Sequence, residues 1–580
     1  MKKENDLPEI LKNRILAAKK EISSDLVLKG GNVLNVFSCE IYKADIAIYD
    51  GVIVGIGTGY RGNTEVDIRG KWVTPGLVDG HLHIESSMLV PSVLARELLS
   101  HGTTTIVSDP HEIANVLGVD GIRFMLDDSR DIPLDIFFML PSCVPATHLE
   151  TSGAVLNASS MSCLTDEPRI LGLAEMMNFP GVLAGDMDVM EKIALFQNRL
   201  VDGHAPGITG SDLQAYISAG IRSDHESTDR SEGILKIRNG MTLMIREGTS
   251  AKNMTELLSV VNSRNSRRCC LVSDDLHPLD IKNKGHLDFV LKKAVGLGLD
   301  AVTSVQMVTL NPSEYFGLKN IGALAPGYKA DIVVFNDIET FQVDKVYKNG
   351  KLVADGGNPV YLSDTEKQAK KRGRVGEFRM PPVSAEDLCI PYTGKNVRVI
   401  NLVPGQIVTE ASIETPKKAG NHIVSDTESD IIKLCVVERH KNTGNISVGL
   451  VKGFGFTKGA VASSVAHDSH NIIAAGVSDR EIMLAINTVK EMAGGQAVVS
   501  GDRVLARLTL EVAGLMSACS FDKMVRQVES LKKAVSDIGC SLDDPFMLLS
   551  FLALPVIPEL KLTDRGLVDV DRFEIVDLYC

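Results

Sequence analysis

The chain has 580 residues, of which 44% are hydrophobic and 23% charged, a composition typical of a folded protein too long for one core. Its formal net charge of −13 disfavours partners with a phosphate backbone, and no basic run interleaved with aromatic residues offsets that charge. The ten cysteines include no C-x-x-C pair, so neither a zinc ribbon nor a disulfide framework is predicted. We therefore expect a multidomain protein of the reducing cytoplasm that binds no nucleic acid.

The two ends of the chain lack membrane signals. Residues 1–21 carry charges of both signs and no apolar core of the kind found in a signal peptide. The longest apolar stretch, residues 545–558, is interrupted by prolines and is too short to cross a bilayer. The sequence therefore predicts no membrane crossing.

Two separated segments have the pattern of short strands joined by tight turns. The first, residues 25–73, contains Gly-Gly and Asp-Gly turn signals between apolar runs. The second, residues 325–350, ends with an Asn-Gly hairpin signal. We interpret the pair as one small composite β-sandwich domain, built from both flanks of a central domain.

Between these flanks, residues 75–312 alternate strand-like apolar runs with helical stretches. The run before His81 is the first of eight, and the others lie at residues 103–107, 136–140, 170–174, just before Gly203, and at 221–223, 241–245 and 270–272. Eight such units predict an α/β fold with a (β/α)8 TIM-like barrel, whose chemistry is placed at the C-terminal ends of its strands.

The remaining chain is long enough for a separate α+β domain. It follows a charged stretch with prolines at residues 366–382, and it contains a polar cluster at residues 463–471. The predicted domain bounds are 1–74 and 319–385 for the composite β domain with its linker, 75–318 for the barrel and 386–580 for the C-terminal domain.

The strongest chemical signal is the pair His81 and His83 at the end of the first barrel strand. Side chains two positions apart on a strand point the same way, so both imidazoles can bind one cation while Leu82 packs behind them. Two histidines at a strand end without a metal are the alternative. The pair therefore predicts a metal site if further ligands follow.

Further candidate ligands lie at the ends of other predicted strands: Glu175 on strand four, His204 on strand five, His225 on strand six and Asp274 on strand eight. Each residue alone is more often a cap or a hydrogen-bonded structural group. Together, imidazoles and carboxylates in this arrangement can hold two divalent cations with a shared water. Asp275 is an alternative to Asp274 as the strand-eight ligand; we favour Asp274, which is nearer the strand.

The motif at residues 74–83, Thr-Pro-Gly-Leu-Val-Asp-Gly-His-Leu-His, resembles the signature of the amidohydrolase superfamily. Within that superfamily, four further segments resemble the bacterial and archaeal adenine deaminase family: residues 84–88, 109–116, 173–182 and 465–471. The resemblance extends through nearly the whole chain, including the C-terminal domain.

The resemblance implies hydrolytic deamination of adenine to hypoxanthine and ammonia, with two divalent transition metals, manganese or iron first and zinc as an alternative. It implies that His81, His83 and Asp274 bind one metal and that His204 and His225 bind the other. Glu175 would bridge them where many relatives use a carbamylated lysine. The metal-bridged hydroxide would attack C6 of adenine.

The same resemblance implies proton-transfer roles in catalysis. Glu175 would protonate N1 of adenine and Asp274 the departing amine, with Glu85 as the alternative proton shuttle. Glu85 and Ser86 fit equally a contact with the substrate or a cap on the first barrel helix.

Further residues are candidates for substrate contact. They are His111 and Glu112 after strand two, and His467, Asp468 and His470 of the C-terminal domain. For each of them a structural hydrogen bond is the alternative. The C-terminal group would close over the barrel mouth.

Two other functions are weighed against this interpretation. Another amidohydrolase activity, on a cyclic amide or an N-acyl group, would use the same metal centre. A non-catalytic barrel scaffold is disfavoured because no candidate ligand is missing. The expected partners are adenine and water, without nucleic acid or membrane, and the expected assembly is a homo-oligomer, either a dimer or a tetramer.

Overall fold

The computed structural model describes residues 7–249, 251–360, 374–403 and 406–580. The N-terminal flank begins with helix α1 (Leu7–Ala18) and continues as strands β1 (Ser24–Asn35), β2 (Glu40–Tyr49), β3 (Val52–Gly57), β4 (Gly62–Asp67) and β5 (Trp72–Pro75). β1 bends at a register shift between Leu28 and Gly31, so that its first half pairs with β4 and its second half with β5. The long first strand therefore links the two halves of this flank.

The barrel strands follow: β6 (Leu77–His83), β7 (Thr103–Ser108), β8 (Asp135–Leu140), β9 (Ile170–Met176), β10 (Leu200–Gly203), β11 (Ser223–Asp224), β12 (Thr242–Arg246), β13 (Cys269–Val272) and β14 (Asp274–Asp275). Their helices are α2 (Pro91–Ser100), α3 (His111–Leu117), α4 (Val119–Asp128), α5 (Ala158–Met161), α6 (Phe179–Ala184), α7 (Met187–Leu195), α8 (Gly210–Ser218), α9 (Arg230–Arg238), α10 (Met254–Leu257), α11 (Pro278–Asn283), α12 (Leu287–Gly296), α13 (Ala301–Met307) and α14 (Leu310–Tyr315).

These strands form a curled parallel sheet that closes on itself. β6 to β10 pair in sequence order, β11 to β13 form a second parallel group, and β14 pairs with β6. The Arg222 amide donates to the Val201 carbonyl at 3.0 Å and joins β10 to β11. Strands such as β7 are buried along their whole length, as expected where helices cover the outer face. The expected TIM-like barrel is confirmed in this form, although strand six is shorter than expected and begins at residue 223.

The chain then returns to the N-terminal flank through β15 (Ile332–Phe335), β16 (Val343–Lys348), β17 (Lys351–Asp355) and β18 (Asn358–Pro359). β15 pairs antiparallel with β5, so strands from both flanks share one nine-stranded sheet. Its division into the two layers of a sandwich stays a prediction. Of the predicted linker at 366–382, residues 366–373 lie outside the described residues.

The C-terminal domain contains β19 (Ile390–Pro391), β20 (Val397–Leu402), β21 (Thr409–Glu414), β22 (Lys418–Ala419), β23 (His422–Ile423), β24 (Ile431–Val437), β25 (Ile446–Lys452), β26 (Ala460–Ser463), β27 (Ile472–Gly476), β28 (Gly495–Ser500), β29 (Arg503–Thr509), β30 (Leu560–Thr563), β31 (Gly566–Asp569) and β32 (Glu574–Val576). Its helices are α15 (Asp479–Met492), α16 (Phe521–Asp537) and α17 (Pro545–Phe551). Eight strands form one mixed sheet in the order β21-β20-β25-β24-β27-β26-β28-β29.

The C-terminal domain packs directly on the barrel. Ser517 donates its amide to the Met88 carbonyl at 2.9 Å and accepts from the Val90 amide at 3.2 Å. The Asn471 side chain donates to the Thr151 carbonyl at 2.9 Å. Buried apolar residues of the barrel and of this domain belong to one continuous core. The domain is therefore placed against the loops at the strand ends.

Within the described ranges, no helix combines the length and apolar character that a membrane crossing would need.

Candidate metal centre at the barrel mouth

All six predicted ligands converge at the C-terminal ends of the barrel strands. Two come from β6, one from β9, one from the residue after each of β10 and β11, and one from β14: His81, His83, Glu175, His204, His225 and Asp274. Five of them are buried and His204 is partly exposed. The closed barrel brings together side chains that lie up to 193 residues apart, from 81 to 274 in the sequence.

Glu175 lies between two pairs of histidines. Its Oε1 lies 3.3 Å from His83 Nε2 and 4.0 Å from His81 Nε2. Its Oε2 lies 2.7 Å from His204 Nδ1 and 3.1 Å from His225 Nε2. Each carboxylate oxygen therefore faces a different histidine pair, which is the arrangement of a carboxylate that bridges two cations.

Asp274 lies on the side of the first pair. Its Oδ1 is 3.2 Å from His83 Nε2 and 3.6 Å from His81 Nε2. The neighbouring Asp275 accepts a hydrogen bond from the Ser86 hydroxyl. The geometry thus favours Asp274 over Asp275 as the strand-eight ligand.

The side chains fit a divalent transition metal. His81 Nε2 is buried and has no hydrogen-bond partner among the described residues, although such a nitrogen is costly to leave unpaired. Candidate ligand atoms of His81, His83 and Asp274 lie within 4.8 Å of one another, and so do those of His81, Glu175 and His225. Imidazole and carboxylate donors of this kind are typical of such cations.

The electrostatics keep both acidic ligands ionised. Burial raises the pKa of Glu175, but His225, His204 and His83 outweigh burial and hold that pKa well below its ordinary value. Burial also raises the pKa of Asp274, but Arg246 and the facing histidines hold it well below the ordinary value. Both carboxylates are therefore available as anionic ligands.

Arg246 and Glu226 were not predicted from the sequence, yet both border this centre. Arg246 Nη1 lies 2.6 Å from Asp274 Oδ2 and 2.5 Å from Glu226 Oε1. Glu226 Oε1 lies 3.4 Å from His225 Nε2. Arg246 is the last residue of β12, one residue beyond the predicted strand end, and a strand-end search extended by one position would have found it. Its contact occupies one oxygen of Asp274 and leaves the other facing the histidines.

A buried hydrogen-bond network behind the ligands joins strands one and eight. Asp79 accepts from the Ser273 hydroxyl at 2.6 Å and from the His81 amide at 3.2 Å. His286 Nε2 lies 3.0 Å from the same carboxylate. This network fixes the backbone on both sides of the centre, next to His81 and Asp274.

His111 and Glu85 lie beside the ligands. His111 Nδ1 is 3.7 Å from Glu175 Oε1 and 3.2 Å from Asp109 Oδ2. Glu85 does not cap the first barrel helix, α2. Its Oε1 instead accepts from the Ile113 amide in the first turn of α3 at 3.2 Å, while its buried Oε2 has no partner among the described residues. Burial raises the pKa of Glu85 to about 7.

The predicted C-terminal group reaches the barrel through Glu112. His467 Nδ1 lies 2.5 Å from Glu112 Oε1, and His470 Nε2 contacts Glu112 Oε2. His470 Nδ1 accepts from the Ala466 amide at 3.2 Å, which leaves Nε2 as the donor to Glu112. Asp468 is buried beside them, and its Oδ2 has no partner within the described part of the chain. The C-terminal domain therefore covers the barrel mouth.

Replacing Glu112 with glutamine is expected to weaken this contact between domains. The variant leaves His467 without its counter-charge, so the free energy of unfolding should fall by about 2 to 4 kcal/mol at pH 6. Burial lowers the pKa of His467, but Glu112 outweighs burial and raises it to about 9. Because the folded-state pKa lies above the ordinary 6.5, this contribution is complete below about pH 6.5 and is lost as pH rises through about 9.

Urea unfolding of the wild type and the variant at pH 6 and pH 9.5 measures this contribution. The exposed Glu256→Gln variant is the control and should match the wild type at both values. A difference between wild type and the Glu112 variant that is as large at pH 9.5 as at pH 6 would contradict the ion pair.

A cavity with an empty volume of about 430 Å³ lies between the metal centre and the C-terminal domain. On the barrel side it is lined by Glu85 and Ser86, which follow His83, and by His277, which follows Asp274. On the other side it is lined by residues of the C-terminal domain, among them His467. This volume includes space open to solvent, so the lining residues rather than the size identify the cavity as a candidate site.

Comparison with known proteins gives full-length matches. The family model described as the adenine deaminase C-terminal domain matches residues 406–574, and the amidohydrolase family model matches residues 72–353. The chain is 47% identical over 568 residues to adenine deaminase 2 of Carboxydothermus hydrogenoformans, covering 98% of this chain and 99% of the relative. It is 46% identical over 569 residues to the adenine deaminase of Desulfatibacillum aliphaticivorans, covering 97% and 99%. It is 43% identical over 570 residues to that of Geobacillus kaustophilus, covering 98% of both chains.

Proposed function

Because this chain belongs to the adenine deaminase family of amidohydrolases, we infer that it hydrolyses adenine to hypoxanthine and ammonia at the barrel-mouth centre. The observation that supports this location is the position of Glu175, because its two carboxylate oxygens face different histidine pairs. Membership of the family identifies the reaction. The convergence of the six candidate ligand side chains indicates where the reaction would take place.

The distances support the ligand sets that the family resemblance implies. His81, His83 and Asp274 would hold one divalent cation, His204 and His225 the second, and Glu175 would bridge them. Manganese and iron fit these nitrogen and oxygen donors, and zinc is the alternative. When bound, the cations supply a nucleophile at neutral pH by lowering the pKa of a water molecule.

Asp274 is the residue to accept the proton of that water and to deliver it to the departing amine. Arg246 binds its Oδ2, which leaves Oδ1 on the side of the first histidine pair. A carboxylate held in this way needs no rearrangement between accepting and giving the proton. The overall balance is one adenine and one water consumed, with one hypoxanthine and one ammonia formed.

Protonation of N1 falls to Glu85 rather than to Glu175. Both oxygens of Glu175 face histidines, whereas Glu85 lines the cavity and its Oε2 has no partner among the described residues. The geometry therefore supports Glu85 better than Glu175 as the group that protonates N1, although the family resemblance named Glu175 first.

The alternatives receive less support. A non-catalytic scaffold would not be expected to retain every ligand at one point. Another amidohydrolase activity is less well supported because the C-terminal domain matches the adenine deaminase model. We also propose a homo-oligomer, dimer or tetramer, in the cytoplasm, with adenine and water as the substrates.

A substrate panel tests the activity. The manganese-loaded protein is offered adenine, adenosine, cytosine and a cyclic imide at equal concentration, and ammonia or ring-opened product is measured. We expect kcat/KM for adenine to exceed that for each other compound by at least about a hundredfold, since a site built around the polar groups of one substrate rejects analogues strongly. Preference for adenosine or for the cyclic imide would contradict the proposed substrate.

A further inference from the structure

Gln496 is a buried polar side chain on the C-terminal side of the cavity. It is only 5% exposed and lines the space opposite Glu85 and Ser86. Within the described residues, its carboxamide makes no hydrogen bond, and its polar atoms are not fully enclosed by protein. The amide therefore keeps its donor and acceptor free towards the cavity, where an apolar residue would fill a purely structural position at lower cost.

The backbone holds Gln496 in one position. It lies in β28, paired with Ser463 of β26 on one side and with Leu508 of β29 on the other. The preceding residue, Gly495, is bonded through its amide to the Ser464 hydroxyl at 2.7 Å. The side chain therefore starts from a backbone that is fixed on both edges of the strand.

The side chain points to the barrel side of the sheet. Side chains two positions apart on a strand share a face, so Gln496 lies on the same face as Val498. Val498 belongs to the core that includes barrel residues, whereas Ala497 and Val499 belong to the core on the opposite face, against α15. Gln496 thus lies between the C-terminal sheet and the metal centre.

Gln496 shares the cavity with residues next to the candidate metal ligands. The lining includes Glu85, two residues after His83, and the apolar side chains of Met88, Leu515 and Phe546. Apolar walls with a few converging polar groups are typical of a site for a small aromatic molecule. If a base bound with C6 at the candidate metal centre extended into this cavity, its opposite edge would face the C-terminal domain.

We propose that Gln496 hydrogen-bonds the N3 and N9 edge of the purine and thereby selects the free base over nucleosides. This inference rests on the proposed deamination of adenine. N3 of adenine is an acceptor and N9–H is a donor on the same edge, and a carboxamide offers the complementary donor and acceptor side by side. A substituent on N9 removes the donor and occupies the space of the amide.

Gln496→Leu tests this role by combining the variant with altered ligands. For both the wild type and the variant, KM is measured for adenine, and inhibition constants are measured for 9-methyladenine and 3-deazaadenine. If the wild type releases no ammonia, binding of adenine is measured by equilibrium dialysis instead, because an active enzyme would consume the ligand during equilibration. We expect the variant to raise KM and the dissociation constant for adenine by about 10- to 100-fold and to leave kcat within about threefold, because the amide does not touch the reacting atoms.

Discrimination between adenine and the two analogues should fall in the variant by about tenfold or more, because the group that distinguishes them is gone. Gln496→Glu, which keeps the shape and loses the donor, should weaken binding of adenine similarly. Gln197→Leu, at an exposed position of the barrel, should behave like the wild type in every measurement. Thermal unfolding of each variant establishes that it is folded, and the Leu variant should be at least as stable as the wild type.

An unchanged KM and unchanged discrimination in Gln496→Leu would overturn the assignment. So would equal loss of affinity for adenine and both analogues, since that result indicates a distorted cavity. Failure of the proposed function has a different signature, namely a wild type that binds adenine without releasing ammonia. The dialysis measurement still decides the role of Gln496 in that case.

Discussion

Glu175→Gln is expected to abolish adenine turnover, lowering kcat/KM by at least about a thousandfold while the protein stays folded. Glutamine has nearly the same shape, but its amide nitrogen is a donor and cannot bind a cation. Because the two oxygens of Glu175 face separate histidine pairs, the loss affects both halves of the centre. Bound metal, measured by plasma mass spectrometry after manganese loading, should fall together with activity.

The exposed Glu191→Gln variant is the control for charge loss on the barrel, and it should retain both metal and activity. Near-normal turnover in the Glu175 variant would show that the carboxylate does not bridge the ligand pairs. Loss of the far-ultraviolet circular dichroism signal in that variant would instead assign Glu175 a structural role.

Asp274→Asn is expected to have the second largest effect, a fall in kcat of about 10³- to 10⁴-fold. Asparagine retains an oxygen for Arg246, so the local packing is preserved, but it can neither accept nor release the proton of the reacting water. His83→Ala, which removes a ligand of the same pair, should also abolish turnover in a folded protein.

The neighbouring Asp275 provides a matched control. It lies one residue further along the same strand and accepts from the Ser86 hydroxyl, so Asp275→Asn should reduce kcat by no more than about tenfold. If the two aspartate variants lost activity equally, the distinction between ligand and neighbour drawn from the distances would be wrong. Steady-state ammonia release gives the comparison directly.

The convergence of the candidate ligands could be predicted from the sequence because barrel topology imposes a simple rule. Residues at the C-terminal ends of parallel strands meet at one mouth, so locating the strand ends by their apolar runs was enough to bring His81, Glu175 and His225 together. The preference for Asp274 rested only on its nearness to the apolar run, since Asp275 has the same chemistry one residue away. In space, one faces the histidines and the other faces Ser86.

The remaining parts of the site depend on contacts that no local pattern encodes. Arg246 reaches the centre because β12 extends one residue beyond its apolar run. The contact between Glu112 and His470 spans 358 residues and depends on how the C-terminal domain packs on the barrel. Gln496 precedes the apolar run Ala497 to Val499 in its strand, and only the cavity beside it distinguishes a ligand contact from a tolerated polar residue.

In the shared sheet, likewise, the local sequence predicted the strands but not every detail of how they pair. Turn signals and short apolar runs predicted strands in both flanks, and the structure places β5 and β15 side by side across the inserted barrel. The bend of β1 between Leu28 and Gly31 was not predicted, because a register shift depends on which partners each half of the strand finds.

Metal titration of the apoprotein tests the central claim most directly. Protein stripped with a chelator is mixed with increasing Mn²⁺, and ammonia release from adenine is recorded against bound metal. The account predicts that activity is absent without metal and reaches its plateau at about two equivalents per chain, as a bridged pair of cations requires. A plateau at one equivalent, or adenine turnover in the metal-free protein, would contradict the six-ligand, two-cation centre.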